Sequence, residues 1–596
     1  MSPDAFTADI SRQIWETKYR LHGGDRTVED TWRRVARALA AAERDAAWEP
    51  RFYEALLGFK FLPGGRIQAG AGTARRVTLF NCFVMGTIED SIDGIFDAIK
   101  EGALTMQQGG GVGYDFSTLR PRGLAAKSVG GVASGPVSFM RIWDATCATL
   151  LSTGARRGAM MATLRCDHPD VLTFIEAKET PGELRNFNLS VLVSDDLMRA
   201  VDRDAEWPLV FPDLGSGGET IVRRWSGGLE PVPCRVHRRL RARELWDRLM
   251  RATYDHAEPG VLFVDRINHL NNLRYREQIS ATNPCGEVPL PPYGACDLGS
   301  INLAALVREP FTERASLDFA AIGAVTRVAV RMLDDVIDVS RFPLEKQAEI
   351  ARGSRRIGLG LTGLADALIM LGHGYASPEA RELAARAMAT ICHAAYRCSI
   401  ELAREKGAFP FFERERYLDG AFVSTLPADI RDGIARDGIR NSHLTAIAPT
   451  GTISLLANNV SSGVEPVYDF RYRRRMLDLD GTSVEHELTD YALDRWRALR
   501  GEAPPSRHFV TALELTPAAH VEMQAALQPF VDNSISKTIN VPADFPFDRF
   551  KDIYRYAFER GLKGCTTYRP NPVTGAVLQP SASDAKLCCT PEREAD

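Results

Sequence analysis

The sequence predicts an α/β fold with many parallel strands, preceded by a helical segment. Residues 10–58 place apolar side chains at three- and four-residue spacing, the period of an amphipathic helix. From about residue 109 to 570, short apolar runs such as 187–194 and 260–264 alternate with helix-like stretches such as 381–407. This alternation is typical of α/β proteins, in which helices cover a mostly parallel sheet.

The individual elements follow from local patterns along the chain. Thr27 stands where a helix N-cap is expected. Residues 76–87 are rich in β-branched and aromatic side chains, which predicts a buried strand. Residues 91–108 then have the pattern of a helix that ends at the glycines of 109–113. Residues 571–596 are rich in Pro, Ser and Ala without periodicity, which predicts a flexible tail.

The composition excludes several classes of protein. Among 596 residues the 73 basic and 77 acidic side chains nearly cancel, so no overall field would attract nucleic acid or an anionic membrane. The N-terminus lacks the apolar part of a signal peptide, and no run approaches the roughly 18 apolar residues that a membrane span needs. The 11 cysteines are odd in number, scattered and without a CxxC pair, which argues against a disulfide framework and a zinc site. We expect a protein of the reducing cytoplasm without a metal site.

The segment Asn-Pro-Cys-Gly-Glu, residues 283–287, presents a cysteine between an amide and a carboxylate. Proline fixes the backbone and glycine leaves room for another group, so Cys285 is displayed on a defined turn. Asn283 can donate or accept a hydrogen bond, and Glu287 can act as a base. The alternative interpretation is a cysteine that merely lies in a surface loop.

Other candidate features are weak when each is taken alone. Cys82 lies in an apolar run and Cys296 follows a Tyr-Gly-Ala turn, and a buried thiol is a common core residue. Residues 448–454, Ala-Pro-Thr-Gly-Thr-Ile-Ser, supply hydroxyls and amides that could hold a phosphate. Residues 358–363 match GxGxxG, but polar residues 349–356 precede them where a dinucleotide-binding fold requires a strand. We expect these glycines to permit close helix packing instead.

Taken together, these segments resemble the catalytic chain of ribonucleotide reductase over nearly the whole sequence. The motifs that carry the resemblance occur in this order: NCFV (81–84), GGGVG (109–113), ARRGAMMATLRCDHPD (155–170), NFNLSV (186–191), NPCGE (283–287), CDLGSINL (296–303), RRIGLGLTGLADAL (355–368), APTGTIS (448–454) and VDNSISKTINVP (531–542). The resemblance implies a ten-stranded α/β barrel with a central finger loop that carries NPCGE. It divides the chain into an N-terminal helical segment, 1–75, the catalytic barrel, 76–570, and a tail, 571–596.

The catalytic roles that the resemblance implies centre on thiol radical chemistry. Cys285 matches the cysteine that becomes a thiyl radical and removes the 3′ hydrogen of the substrate ribose. Glu287 matches the glutamate that takes the 3′-hydroxyl proton, and Asn283 matches a hydrogen-bonding asparagine of the same site. Cys82 and Cys296 match the pair that protonates the leaving 2′-hydroxyl, delivers electrons and ends as a disulfide.

The resemblance also implies where a ribonucleotide, which we expect to be a diphosphate, would bind. Its phosphates would lie at the turn formed by Pro449, Thr450, Gly451, Thr452, Ile453 and Ser454. The remaining candidates for substrate binding are Asn81, Gly110 and Gly111.

The source of the radical is predicted from which motifs are present. The sequences SKTINVP (536–542) and KGCTTYR (563–569) look like those of the adenosylcobalamin-dependent class. The glycyl-radical motif and the paired tyrosines of the other classes are not found. Candidate cofactor contacts are Lys537, Thr538, Lys563, Tyr568 and Arg569. Two alternatives stay open: a large subunit that uses a separate metal-radical subunit, and a catalytically silent deoxynucleotide sensor.

Regulation and electron supply are implied in the same way. Asp90, Arg156 and Arg157 match residues at the site where deoxynucleoside triphosphates or ATP set substrate specificity, and such sites normally lie in a homodimer interface. The short helical segment before the barrel predicts no overall switch by ATP and dATP.

Cys588 and Cys589 are the candidate shuttle to a thioredoxin- or glutaredoxin-like reductant. Their Cα atoms, about 3.8 Å apart, are closer than in most disulfides, so the sequence leaves open whether this pair works.

Overall fold

Helices surround one large β-sheet in this protein. A computed structural model describes residues 5–125, 131–152, 156–157, 160–215, 217–477, 483–570 and 578–580. The helices are α1 (Asp9–Ile14), α2 (Val28–Ala40), α3 (Trp48–Leu56), α4 (Gly65–Gly70), α5 (Ile92–Gln107), α6 (Pro136–Thr149), α7 (Val171–Ile175), α8 (Asp195–Arg203), α9 (Ala242–His256), α10 (Val264–His269), α11 (Phe319–Val339), α12 (Glu345–Ser354), α13 (Leu364–Met370), α14 (Pro378–Lys406), α15 (Arg414–Leu418), α16 (Ala428–Asp437), α17 (Gly451–Leu456), α18 (Tyr491–Arg500), α19 (Pro517–Leu527) and α20 (Phe547–Glu559).

The strands are mostly short. They are β1 (Phe61–Pro63), β2 (Cys82–Val84), β3 (Gly111–Asp115), β4 (Leu151–Ser152), β5 (Arg156–Arg157), β6 (Met160–Arg165), β7 (Phe187–Val193), β8 (Glu206–Pro212), β9 (Thr220–Arg224), β10 (Pro231–Arg241), β11 (Gly260–Phe263), β12 (Ala281–Thr282), β13 (Pro289–Leu290), β14 (Ala295–Asn302), β15 (Val307–Arg308), β16 (Ser316–Leu317), β17 (Ile357–Thr362), β18 (Arg471–Leu477), β19 (Ser483–Thr489), β20 (Thr538–Asn540), β21 (Gly564–Tyr568) and β22 (Leu578–Pro580). No helix in the described ranges is long and apolar enough to cross a membrane.

The N-terminal part is helical, as predicted. Thr27 caps α2 through a capping box: its side chain accepts a hydrogen bond from the Asp30 amide, and the Asp30 carboxylate accepts one from the Thr27 amide. One face of α2 is buried, including Trp32 and Val35, and both α2 and α3 pack against α11. The N-terminal helices are thereby joined to the helices that cover the sheet.

The large sheet has ten strands in the order β1–β14–β2–β3–β6–β7–β11–β21–β20, with β17 also paired to β14. Strands β2, β3, β6, β7 and β11 are parallel to their neighbours in that series, and β17 is parallel to β14. The pairings of β14 with β2 and of β11 with β21 are antiparallel. The predicted α/β fold, with many parallel strands and ten strands in its central sheet, is confirmed.

The regular ladders end at β17 and β20, and residues 444–447 lie between these two strands. Backbone hydrogen bonds link this segment to Leu359 of β17 and to Ser534, which precedes β20. The segment forms isolated bridges rather than the regular strand that its apolar sequence suggests. The reason is that the Asp532 carboxylate accepts hydrogen bonds from two of its amides, at 2.8 and 2.9 Å.

The segment with NPCGE is the tip of a hairpin formed by β12 and β13. This finger hairpin, residues 281–290, packs against β2, β3 and β6 of the large sheet. A Cβ atom at Gly113 of β3 would lie 1.8 Å from the Thr282 carbonyl oxygen, and one at Gly111 would lie 3.2 Å from the Pro284 ring. The glycine-rich sequence after α5 therefore begins a strand and leaves room for the hairpin.

Replacing Gly113 by alanine should displace the finger hairpin. We expect a loss of at least about 1–3 kcal/mol in the free energy of unfolding, because the Thr282 carbonyl is backbone and cannot rotate away. Gly323→Ala is the control: nothing lies within 4 Å of the added Cβ in α11, so a gain of about 0.5–1 kcal/mol is expected. Denaturant unfolding measures both, and equal stability of the two variants would contradict the close approach.

The GxGxxG match at 358–363 has a structural role different from the one expected. Gly358 and Gly360 lie inside the buried strand β17, and only Gly363 precedes a helix. A Cβ at Gly358 would lie 2.5 Å from the Leu298 side chain, and one at Gly360 would lie 2.2 Å from the Ala446 carbonyl oxygen. The expectation of close helix packing was wrong, because these glycines permit close approach between strands and the neighbouring 444–447 segment.

Candidate active site

Cys285 lies at the tip of the finger hairpin. A turn positions it: the Gly286 amide donates to the Asn283 carbonyl at 3.1 Å, and Gly286 has a φ of 81°, which favours glycine. The Val288 amide donates to Asn283 Oδ1 at 3.0 Å, which orients the asparagine side chain. Cys285 is half-buried and lines a cavity of about 550 Å³. The hairpin thus presents one thiol to this cavity.

The other predicted catalytic side chains lie around the base of this tip. Asn283 Nδ2 donates to Cys82 Sγ at 3.2 Å, and Cys82 Sγ lies 3.8 Å from Glu287 Oε1. Cys82 of β2 and Cys296 of β14 are directly opposite each other in an antiparallel pairing. Opposed residues have Cα atoms about 4.5–5.5 Å apart, which is within the range of disulfides. The structure brings the two cysteines, the amide and the carboxyl group together.

Burial sets the protonation of these groups. Glu287 is 1% exposed, and burial raises its pKa to about 7 despite the hydrogen bonds that it accepts. Its Oε2 atom has no hydrogen-bond partner among the described residues. Burial also raises the pKa of the Cys82 and Cys296 thiols well above the ordinary value. At neutral pH the thiols therefore keep their protons while the carboxyl group can give or take one.

The predicted phosphate turn is the N-terminus of α17. Pro449, Gly451 and Ser454 line the same cavity as Cys285, and nothing lies within 4 Å of a Cβ placed at Gly451. The first amides of a helix have no acceptor within it, so this turn can receive an anion. Thr450 has a φ of 53°, and its hydroxyl accepts a hydrogen bond from the Gly463 amide at 2.7 Å. The Thr450 hydroxyl therefore shapes the turn.

The remaining candidates for substrate binding lie outside the lining of the cavity. Thr452 and Ile453 are buried in α17. The Asn81 carbonyl accepts a hydrogen bond from Gly111 at 2.8 Å, and a Cβ at Gly110 would lie 2.6 Å from the Phe83 ring. Within the described chain none of these side chains lines the cavity.

The candidate cofactor contacts divide into two groups. Lys537, Thr538 and Tyr568 line the cavity, on the wall formed by β20 and β21. The same wall carries Ser536 and Thr566. Its hydroxyl groups and strand backbone offer hydrogen-bond donors and acceptors to a large ligand with many amide groups, and in this respect the residues fit a corrin cofactor.

Lys563 and Arg569 do not reach the cavity. Lys563 is buried, and its ammonium group donates to the backbone carbonyls of Asp532, at 2.6 Å, and Asn533. Burial lowers its pKa to about 7. The Arg569 guanidinium lies 3.9 Å from the centre of the Tyr254 ring and donates to the Tyr254 carbonyl at 3.0 Å. Lys563 precedes β21 and Arg569 follows it, so these contacts join the two ends of the strand to residues 532–533 and to Tyr254.

The candidate effector residues lie away from the cavity. Asp90 precedes α5 and forms an ion pair with Arg120 at 2.7 Å. The backbones of Arg156 and Arg157 form β5, which pairs with β4, and the structure does not describe their side chains. Cys588 and Cys589 lie outside the described residues.

The sequence did not indicate Glu465, which also lines the cavity. It follows the phosphate turn in the chain and forms a 2.5 Å ion pair with Lys537. In the sequence, Glu465 is a carboxylate between a valine and a proline. Nothing in that local pattern distinguishes Glu465 from an ordinary surface residue.

A displayed thiol, a buried carboxyl group and a pair of opposed cysteines beside one cavity define a thiol-dependent oxidoreductase. The chain belongs to the ribonucleotide reductase family. The family model described as the ribonucleotide reductase barrel domain matches residues 80–568, and the model of the all-alpha domain matches residues 5–76. The predicted resemblance is confirmed.

Individual relatives agree with this assignment. The vitamin B12-dependent ribonucleoside-diphosphate reductase of Mycobacterium tuberculosis (strain CDC 1551 / Oshkosh) is 39% identical, over 96% of this chain and 80% of its own. That of Thermoplasma acidophilum is 36% identical, over 90% of this chain and 67% of its own. The ribonucleoside-diphosphate reductase subunit alpha of Chlamydia pneumoniae is 26% identical, over 94% of this chain and 58% of its own.

Proposed function

We propose that this protein reduces ribonucleoside diphosphates to 2′-deoxyribonucleotides for DNA synthesis, with adenosylcobalamin as the source of the radical. The observation that carries the proposal is Cys285 at the tip of the finger hairpin, beside Glu287 and the opposed Cys82–Cys296 pair. The relatives with 36–39% identity are named as vitamin B12-dependent enzymes that act on diphosphates. We propose the cytoplasm as its location, because the reaction consumes thiols that must be kept reduced.

The chemistry follows from the positions of the side chains. Adenosylcobalamin, held against the wall that carries Lys537, Thr538 and Tyr568, would supply the one-electron oxidation that makes Cys285 a thiyl. Cys285 then takes the 3′ hydrogen atom, and Glu287, with its pKa near 7, takes the 3′-hydroxyl proton. The protonated thiols suit the next step, in which one gives a proton to the leaving 2′-hydroxyl and water departs.

The electrons come from Cys82 and Cys296. Their two S–H bonds are replaced by one S–S bond, so two electrons and two protons pass to the nucleotide and water is the second product. Cys285 returns its hydrogen atom to the 3′ carbon and is a thiyl again. Asn283, which donates to Cys82 at 3.2 Å, holds that sulfur beside the carboxyl group.

Binding roles are assigned by position. We place the substrate phosphates at the N-terminus of α17, with Pro449, Gly451 and Ser454 at the cavity surface. Asn81, Gly110 and Gly111 support the base of the site. Lys537, Thr538 and Tyr568 belong to the wall on which the cofactor would lie, whereas Lys563 and Arg569 stabilise that wall from behind.

Re-reduction of the Cys82–Cys296 disulfide is assigned to the tail. Strand β22 pairs with β18, and Tyr472 of β18 lines the cavity. Seven residues lie between Pro580 and Cys588, and the eight steps from one Cα atom to the next span roughly 28 Å when the chain is extended. We propose that Cys588 and Cys589 carry electrons from a thioredoxin- or glutaredoxin-like protein to the site.

The central test is an anaerobic assay of cytidine diphosphate and triphosphate reduction with dithiothreitol, with and without adenosylcobalamin. We expect deoxynucleotide only with the cofactor, and more from the diphosphate. In a single turnover without dithiothreitol, peptide mapping should find a new Cys82–Cys296 disulfide, and Cys296→Ser should prevent it. Turnover that ignores the cofactor and needs a metal-containing protein would support the separate-subunit alternative, and nucleotide binding without any product would support a sensor.

Effector binding is proposed at a homodimer interface that includes α5. Ile92, Phe96 and Leu104 of α5 are 59%, 52% and 39% exposed, which is unusual for large apolar side chains on one helix. Asp90 precedes this helix, so a second copy covering α5 would close the effector site. Arg156 and Arg157 are assigned to the same site from the resemblance.

Phe96→Glu should dissociate the dimer, because a charge would be buried in an apolar interface. Sedimentation velocity at micromolar concentration should give a dimer for the unsubstituted protein and a monomer for the variant. Leu499→Glu is the matched control, since Leu499 is 54% exposed on α18, and it should leave the dimer intact. A monomeric unsubstituted protein, or equal behaviour of the two variants, would contradict the assignment.

A further inference from the structure

Glu465 and Lys537 form an ion pair in the wall of the cavity that Cys285 lines. Glu465 closes the turn after α17, where its amide donates to the Ser462 carbonyl at 2.8 Å, and Lys537 immediately precedes β20. The pair therefore joins the side of the cavity that holds the phosphate turn to the side assigned to the cofactor.

Lys537 uses all of its donors within the protein. Its Nζ atom donates to Glu465 Oε2 at 2.5 Å, to the Thr538 carbonyl at 2.6 Å and to His520 Nδ1 at 2.9 Å. An ammonium group has three hydrogens, and its side chain is 0% exposed. Lys537 is therefore a positioning residue whose ammonium group has no hydrogen left for a ligand.

His520 accepts from the lysine because it is neutral. Burial, and then the charge of Lys537, lower its pKa to about 3. Its other nitrogen, Nε2, lies 3.3 Å from the Ala512 carbonyl and can donate to it. The imidazole thus fixes the direction of the lysine side chain without adding charge.

Glu465 keeps unused acceptor positions that face the cavity. Its Oε1 accepts from the Thr538 amide at 2.6 Å and its Oε2 accepts from Lys537. A carboxylate offers about four acceptor positions, so these two bonds leave about two. The side chain is 24% exposed and lines the cavity, which makes the remaining positions accessible to a bound molecule.

We propose that Glu465 accepts hydrogen bonds from the 2′,3′-diol of the adenosyl ribose, and that Lys537 and His520 hold it in place. This inference rests on the proposed function, which assigns the hydroxyls of the substrate ribose to Glu287 and the cysteine pair and brings a second ribose, that of the adenosyl group, to the cavity. A vicinal diol supplies two adjacent donors, and carboxylates are the groups that proteins use to bind ribose hydroxyls. A phosphate is excluded as the partner because two anions repel each other.

The test compares ligands that differ only in the diol. Adenosylcobalamin is paired with the analogue whose adenosyl ribose lacks both hydroxyl groups, and cytidine diphosphate with its 2′,3′-dideoxy analogue. Equilibrium affinities are measured by absorbance titration for the cobalamins and by calorimetry for the nucleotides, so that no turnover is needed. The variants are Glu465→Gln and Glu465→Asp, which keeps the charge but shortens the side chain, and thermal unfolding verifies that each is folded.

Glu258→Gln is the matched control. Glu258 is a second carboxylate in the cavity wall, and it too is paired with a buried lysine, Lys178, at 2.5 Å. Its replacement removes one negative charge from the wall without touching Glu465. It should not alter the ratio of affinities for the diol-containing and diol-free ligands.

We expect Glu465→Gln to weaken the binding of adenosylcobalamin about tenfold, the scale of one or two hydrogen bonds to a charged group, and that of its diol-free analogue less than twofold. Cytidine diphosphate should keep its affinity, and a loss confined to the cytidine diphosphate pair would overturn the assignment to the adenosyl ribose. Equal weakening within both pairs, or none, would overturn the inference while leaving the proposed function intact. Failure of the unsubstituted protein to bind either ligand would overturn both.

Discussion

Cys285→Ser should abolish nucleotide reduction, with a fall of at least about 10⁴-fold in kcat, on the scale seen when a reacting side chain is removed. Serine preserves the shape of the finger tip, but its O–H bond is much stronger than an S–H bond, so the oxygen radical cannot form. The half-buried position of Cys285 in the cavity predicts that the fold will not change. Deoxynucleotide formation with dithiothreitol and adenosylcobalamin measures the effect.

Cys565→Ala provides the control for this experiment. Cys565 also lines the cavity, but it belongs to β21 and has no part in the proposed chemistry. We expect it to keep activity within about tenfold of the unsubstituted protein, the factor that a change of about 1.4 kcal/mol produces. Measurable turnover by Cys285→Ser, or equal loss in the two variants, would remove Cys285 from the role of the reacting thiol.

Glu287→Gln should lower kcat by about 10²–10⁴-fold, the usual contribution of a positioned general acid or base. The amide fills the same space but cannot take the 3′-hydroxyl proton. The unsubstituted enzyme should also lose activity as the pH falls. Burial raises the pKa of Glu287 to about 7, so the carboxylate that acts as the base is present above this pH and becomes protonated below it.

The pH profile separates this role from a structural one. In the unsubstituted protein, kcat should rise through a pH of about 7, the pKa to which burial raises Glu287, and then level off. The residual activity of Glu287→Gln should lack that rise, since the variant has no carboxyl group to titrate. An unchanged profile in the variant would mean that the rise belongs to another group. Cys82 and Cys296 cannot produce it, because burial raises their pKa values well above the ordinary range.

Local patterns were enough to predict much of the fold. The helical period of the N-terminal segment, the cap at Thr27 and the alternation of strands and helices all involve residues close together in the chain. The segment 444–447 shows where such patterns fail. Its apolar sequence suggests a strand, but Asp532, distant in sequence, takes two of its amides. A hydrogen-bond partner supplied by another part of the chain cannot be inferred from the segment itself.

The chemical groups that are present, and the family to which they belong, can be read from the sequence alone, because NPCGE and the other motifs are local strings of residues. How those groups meet depends on the packing of segments that are remote in the chain. Asn283 and Cys82 are 201 residues apart yet lie 3.2 Å from each other, and Cys82 faces Cys296 only because β2 pairs with β14.

The electrostatics also depend on the fold. The pKa of Glu287 rises to about 7 because the barrel strands and finger hairpin exclude water from it, and no sequence motif encodes that exclusion. Glu465 carries no distinctive pattern, and it became a candidate ligand-binding group only when Lys537, 72 residues away, was found to hold it in the cavity wall. The motifs specify the reactive groups, whereas distance, burial and hydrogen bonding arise when remote segments are packed together.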